Sequence, residues 1–146
     1  MKPITEINVR KLLPQKGRFV MVDRLEQCDE ETTVSTLLVR EDNIFVSDGF
    51  FLEAGLLEHM AQTAAARNGY MDKYIHHRDI TLGFIGEIKN VLISRCPRVG
   101  ELLTTKVIAG NEILSTLIIT VEVKIGDELI VNGNMKIGMT TISTQT

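Results

Sequence analysis

One stretch of this sequence, residues 54–65, carries a helical repeat, and it has to serve a chain that otherwise reads as strands. Ala54, Leu57, Met60, Ala61, Ala64 and Ala65 recur at helical spacing. Before it, residues 18–40 read as two extended segments with a turn at Asp29-Glu30-Glu31, and the second segment, TTVSTLLVR, is rich in β-branched residues. After it come four strand-like segments, TLGFIGEIKNVLISR, ELLTTKVIAGNE, ILSTLIITVEVKIG and ELIVNGNMKIGMTTI. They are punctuated at residues 97–100, at Gly110-Asn111 and at Gly126-Asp127, which suggests an antiparallel meander. A single helix cannot cover both faces of a six-stranded sheet. The sheet must curl around the helix, or the domain must pair with another copy.

The coat of alanines on the helix lets a sheet wrap closely. The expected architecture is therefore α+β, a hotdog fold in which a long central helix is wrapped by a curved antiparallel sheet of about five to six strands. A chain of 146 residues suits one such domain, spanning residues 1–146. The remaining segments are expected to be connections. The first dozen residues form a short helix or arm ending at Pro14, and residues 41–49 form a loop with Gly49 as a turn residue. Asn68-Gly69 stops the helix, because glycine tolerates the left-handed position after a helix end. Residues 72–80 make a polar loop, and residues 143–146 a disordered tail.

Composition excludes several partner classes. The net charge is −3, and no basic run or aromatic-basic interleaving occurs, so nucleic acid is not an expected partner. The first sixteen residues, MKPITEINVRKLLPQK, lack a continuous apolar core of the secretory type, and no apolar run approaches a membrane span. Cys28 and Cys96 lie far apart without metal-type spacing, which reads as free thiols in a reducing cytoplasm. His76-His77 lie in a polar stretch with no other ligand-type residues near in sequence, and a zinc site needs three or four convergent ligands. No metal and no cofactor are expected.

Three segments carry a family resemblance. LLPQKGRFVMVDRL, residues 12–25, resembles the opening L-P-H-x-x-P-F-x-x-x-D-R of bacterial β-hydroxyacyl-acyl-carrier-protein dehydratases. LLEHMAQTAAA, residues 56–66, resembles their helix signature E-A-M-A-Q, and IGEIKNVLISRCPRVGELL, residues 85–103, resembles their R-x-P-V-x-P-G-D-x-L segment. The resemblance spans nearly the whole chain in the right order. It departs from the family in one important place. Family members carry H-F-P-G-x-P-x-x-P-G-V before the helix, whereas this chain has NIFVSDGFFLEAG, which puts Ile44 opposite the family histidine. Gln15 likewise stands where the L-P-H histidine would be. The shorter loop resembles that of dehydratase-like hotdog proteins that accompany the making of aryl-polyene or flexirubin-type pigments.

The resemblance implies a 3-hydroxyacyl-acyl-carrier-protein dehydratase-like protein of fatty acid biosynthesis type, a hydro-lyase that removes water to leave an enoyl thioester. It implies an acyl carrier protein or CoA thioester as substrate. The single helix and the long strand-rich C-terminal half, whose edges need pairing, predict a homo-oligomer, a dimer or trimer of dimers, with sheets joined edge to edge. In the family the histidine removes the α-proton while the helix carboxylate protonates the departing β-hydroxyl. Glu58 matches that carboxylate residue for residue. A carboxylate facing an apolar tunnel is pushed toward protonation by desolvation, which suits it to proton donation near neutral pH. Its plainer alternative is a Glu at a subunit interface, hydrogen-bonded or paired with Lys or Arg.

Gln62 follows one turn later on the same face and is expected to position the carboxylate or the loop, or else to make an ordinary backbone hydrogen bond. Asp48 sits in the loop where the family histidine would be, and is a weak candidate for base, or part of a turn with Ser47 and Gly49. His59 lies about 100° around the helix from Glu58, so it cannot replace the lost histidine on the same face. It stands as a substrate-binding candidate beside the plainer reading of a strand or dimer contact. Leu57, with Leu56 and Met60, could line an acyl tunnel or simply be core, and Phe50 and Phe51 could cap it. Amides near Ala54 and Gly55 at the helix start could polarise a thioester carbonyl. Two rival readings keep the fold: a hotdog acyl thioesterase, and a non-catalytic acyl-binding partner subunit, which the missing histidine favours.

Overall fold

The computed structural model describes residues 2–141, with residues 81–85 and 139–141 described by backbone alone; the tail expected at 143–146 lies outside the described residues. A six-stranded antiparallel sheet is built from β1 (Arg24–Cys28), β2 (Thr32–Leu38), β5 (Thr81–Ile93), β6 (Leu102–Ile113), β7 (Thr116–Ile125) and β8 (Glu128–Thr141). The strand order is β1-β2-β6-β7-β8-β5. Strands β6, β7 and β8 are the expected meander, but β5 crosses to the far side and pairs with β8 instead of with its sequence neighbour. One helix, α1 (Glu53–Tyr70), packs on the sheet. This is the hotdog arrangement.

The strands alternate as a half-buried sheet must. In β7, Leu117, Ile119, Val121 and Val123 point inward, while Ile118, Thr120 and Lys124 are exposed. The inward residues join Leu56, Met60 and Ala64 of the helix, with Val107, Ile130 and Met135, in the main core. A second cluster lies over the far end of the helix. There Ile7, Val9, Leu12 and Leu13 of the N-terminal arm cover Ala66, Tyr70 and Met71. The arm consists of short 3-10 turns, Ile4–Glu6 and Val9–Lys11, as the expected short helix or arm.

Three sequence expectations are corrected here. The helix does not stop at Asn68-Gly69; it runs on to Tyr70 and continues as a π-helical turn, Met71–Ile75, so residues 72–75 are not loop. Gly69 is there for packing, since a Cβ on it would lie 2.7 Å from the Leu12 carbonyl oxygen. Gly110-Asn111 is not a turn either. The register slips between Ala109 and Glu112, so this pair forms a bulge within β6. The reversal comes at Leu114-Ser115, both with positive φ (52° and 62°), as a two-residue hairpin requires. The 41–49 loop also contains structure, a small hairpin of β3 (Val46–Ser47) and β4 (Phe50–Phe51). Its turn is Asp48-Gly49, with φ of 51° and 82°, so Gly49 is the turn residue expected.

Candidate active site

The site is built where the helix meets the extended segment that leads into β1. Helix geometry puts residues 58 and 62 on one stripe and residues 59 and 63 on the next. Both stripes clamp the backbone of Met21. The Met21 N–H donates to Gln62 Oε1 at 2.6 Å, and the Met21 carbonyl lies 2.6 Å from His59 Nδ1. Gln62 then uses its two amide hydrogens separately. Nε2 donates to the Phe19 carbonyl at 2.7 Å and to Glu58 Oε1 at 2.7 Å. Gln62 is itself buried, and its bond to the Met21 N–H is shielded from water. Gln62 thus bonds the Glu58 carboxylate and the loop backbone together.

Glu58 is half-buried and makes no ion pair among the described residues. Its bonding partner within the chain is a neutral amide, that of Gln62. The carboxylate sits at the edge of the core, with one oxygen held by Gln62.

His59 occupies a different environment from the one expected of a substrate contact. It is fully buried; Nδ1 faces the Met21 carbonyl and Nε2 lies 2.7 Å from Thr105 Oγ1. A carbonyl can only accept, so Nδ1 carries the proton and Nε2 accepts from the threonine hydroxyl. Burial pushes its pKa down to about 4, against a smaller upward effect of the Met21 hydrogen bond. A neutral ring with both nitrogens engaged ties helix, loop and β6 together. The neighbouring stripe adds Thr63, whose hydroxyl bonds the His59 carbonyl at 2.9 Å and Ser35 Oγ at 2.8 Å. Thr105, Thr63 and Ser35 were not singled out from sequence; hydroxyls in β-branched strands and alanine-rich helices carry no signal of such pairing.

The other candidates divide between core and surface. Phe51 is fully buried, edge-on to Phe45 with ring centroids 6.5 Å apart, so it is core and does not cap an opening. Phe50 is 41% exposed and lies under the Arg98 guanidinium. Leu57 is half-buried against the core, while Leu56 and Met60 are wholly within it. Gly55 is buried, and a Cβ there would lie 2.6 Å from Phe45 Cβ. Its N–H donates to the Leu52 carbonyl at 2.9 Å, which removes it as a donor to a thioester. Asp48 is an exposed turn residue at the tip of the small hairpin. The hairpin is anchored by Phe51 N–H to the Pro97 carbonyl (2.8 Å) and Val99 N–H to the Gly49 carbonyl (3.0 Å).

Arg95 forks onto Glu101 at 2.8 and 2.9 Å and reaches Glu128 at 3.0 Å, tying the end of β5 to β6 and β8. That hydrogen bond holds the Glu101 carboxyl well below the usual range, at about 2. Cys28 and Cys96 are free thiols, and burial pushes the Cys28 thiol up. No cluster suited to a metal ion occurs among the described residues, and no helix among them is long and apolar enough to cross a membrane.

Comparison with known proteins agrees with this geometry. Among solved structures, the chain is similar to the dehydratase heterocomplex ApeI:P from Xenorhabdus doucetiae, with TM-score 0.84 and 15% identity over 94% of this chain and 93% of that one. A sigma28-regulated virulence protein of Campylobacter jejuni matches with TM-score 0.70 and 13% identity over 96% and 90% of the two chains. A hypothetical thioesterase of Streptococcus pneumoniae, solved with coenzyme A, matches with TM-score 0.65 and 11% identity over 83% and 88%. At such identities these likenesses establish the fold alone. No curated protein matches the chain in sequence. The family described as ApeP dehydratase matches residues 7–137, and the chain belongs to this ApeP-like dehydratase family.

Proposed function

We propose that the chain acts on 3-hydroxyacyl thioesters of acyl carrier protein or CoA as the carboxylate-bearing subunit of a hotdog dehydratase. The observation that carries this reading is the fixed Glu58 carboxylate, held by Gln62 at the rim of the core. In this reaction a base removes the α-proton and Glu58 donates a proton to the β-hydroxyl. Water departs as the α,β double bond forms, and Glu58 is left as carboxylate until it is reprotonated. The thioester-handling neighbours and the family support the substrate class.

The base is the second half of the proposal. His59 is enclosed in the core, and His76 and His77 lie beyond the far end of the helix. From Glu58 to Tyr70 alone is roughly 18 Å at the helical rise. We therefore assign the base to a second hotdog subunit. Strand β5 offers the means of pairing. It is thirteen residues long, lies at the sheet edge and pairs, among the described residues, with β8 alone, with residues 86–90 all exposed. The ApeI:P neighbour is a heterocomplex by its own description, which favours a second reading in which this chain only supports a catalytic partner. Unpaired thiols at Cys28 and Cys96 support a reducing compartment such as the cytoplasm.

The test is turnover of 3-hydroxyacyl thioesters by this chain, alone and mixed with a histidine-bearing hotdog subunit. Enoyl thioester without free thiol is expected, and only in the presence of the base-donating subunit. Release of free thiol would make it a thioesterase. Full activity of the mixture after Glu58→Gln would leave the supporting-subunit reading.

A further inference from the structure

The amide that fixes Glu58 also fixes an exposed aromatic residue. Gln62 Nε2 donates to the Phe19 carbonyl and to Glu58 Oε1, each at 2.7 Å, so the two oxygens stand no more than twice that distance apart. The Phe19 backbone is held on its other side as well. Its N–H donates to the Lys16 carbonyl at 3.2 Å, in the 3-10 turn Gly17–Phe19. Yet Phe19 is 65% exposed, against 41% for Phe50 and none for Phe51. No other ring and no cation stacks on it among the described residues. A fixed backbone thus presents an unused apolar ring beside the carboxylate.

A partner subunit or a substrate could cover that ring, and position favours the substrate. Phe19 lies on the segment leading into β1, and β1 and β5 are the two ends of the strand order. A subunit that pairs on β5 approaches the sheet from its other end. The substrate, in contrast, must come to Glu58. For the carboxyl to protonate a β-hydroxyl, the two oxygens must lie about 2.6–3.2 Å apart. The β-carbon is then one bond further, and the group it carries stands beside Phe19. The backbone polar atoms of this segment are already engaged. Gln62 bonds the Phe19 carbonyl and the Met21 N–H, and His59 bonds the Met21 carbonyl. The surface left for that group is the ring, and an apolar ring recognises an apolar group by the water both release.

We infer that Phe19 is a specificity-determining residue, whose ring packs against an apolar substituent on the β-carbon of the substrate and makes the site prefer a longer alkyl chain there to a methyl group. The inference rests on the dehydratase reading above and names the substituent that reading leaves open. Phe19 takes no part in the proton transfers; it acts by contact with the chain.

The experiment compares the unaltered protein, F19A and F19L, each in its assembled form, on 3-hydroxybutanoyl-, 3-hydroxyhexanoyl- and 3-hydroxyoctanoyl-CoA. In the unaltered protein kcat/KM should rise along the series. In F19A the octanoyl-to-butanoyl ratio of kcat/KM should fall by about tenfold or more, the size of effect that a few methylenes have against an apolar surface. F19L, which keeps an apolar side chain, should recover part of the ratio. Melting temperature and sedimentation should stay as they were, because the ring is exposed. Calorimetric titration with butanoyl-, hexanoyl- and octanoyl-CoA repeats the comparison without turnover, and F19A should flatten the rise in affinity there too. Loss of the chain-length preference in binding, in a protein that forms no enoyl thioester, would support the contact and sink the dehydratase reading. The same chain-length ratio in F19A as in the unaltered protein, in turnover and in binding, would overturn the inference. So would an equal loss on every substrate accompanied by a lower melting temperature, which marks a structural role, or by dissociation of the assembly, which marks a partner contact.

Discussion

Gln62 Nε2 stands 2.7 Å from Glu58 Oε1, and the same amide bonds the Phe19 carbonyl and, through Oε1, the Met21 N–H. One buried side chain thus sets the carboxylate and the loop beside it at once. Truncating it should be felt in both. Gln62→Leu leaves the Met21 N–H without its partner in the core, which should cost about 1–3 kcal/mol. It also frees Glu58. Chemical denaturation together with turnover checks this: the account expects reduced stability and reduced rate together, and a rate loss without a stability loss would show that the loop does not depend on Gln62.

His59 makes stability fall in acid. Its folded-state pKa of about 4 lies below the ordinary value of 6.5, so the unfolded chain binds its proton first as pH drops. Stability is complete above pH 6.5 and declines between 6.5 and 4, by roughly 3 kcal/mol over that window. Denaturation midpoints measured from pH 7 to 4, compared with the same series for His59→Gln, test it. The slope should flatten in the variant.

Gly69 gives a prediction of sign. In an ordinary helix interior, glycine to alanine adds about 1 kcal/mol of stability. At this position the new methyl meets the Leu12 carbonyl oxygen at 2.7 Å and Leu12 Cβ at 3.1 Å. Overpacking costs about 1–3 kcal/mol, so Gly69→Ala should lower the melting temperature. A rise would mean that the N-terminal arm does not seat on the helix as described.

The β5 edge predicts association. Ile88 and Leu92 are 41% and 70% exposed on a strand whose outer side has no partner in the single chain. Sedimentation at micromolar concentration should show a dimer or a multiple of one, and Leu92→Lys should weaken it while leaving the fold intact. A stable monomer for the unaltered chain, alone and with a hotdog partner, would remove the proposed source of the base.

The order of one helix among strands was legible because period and punctuation are local. Strands β1 and β2, the turn Asp29-Glu30-Glu31 and the reversal at residues 97–100 all follow from such signals. Glycine was the misleading residue. Gly69 and Gly110 look like stops, yet one sits in the helix against Leu12 and the other in a bulge against the Ile118 carbonyl, so tertiary contact and not turn geometry explains both. Leu114-Ser115 forms the real hairpin turn with neither glycine nor asparagine to announce its positive φ. At the site, Glu58 and Gln62 could be placed on one stripe from spacing alone. The Met21 clamp could not, because its partners on the loop are backbone atoms, which every residue has. Phe51 and His59 were candidates by proximity to the helix start and to Glu58; the fold turns both inward.

Glu58→Gln tests the central claim most directly. The substitution keeps shape, and the new amide can still accept from Gln62 Nε2, so little stability should change. If Glu58 is the proton donor, turnover of 3-hydroxyacyl thioester by the assembled protein should fall by about 10²–10⁴-fold with the melting temperature retained. Unchanged turnover in a folded Glu58→Gln variant would contradict the account.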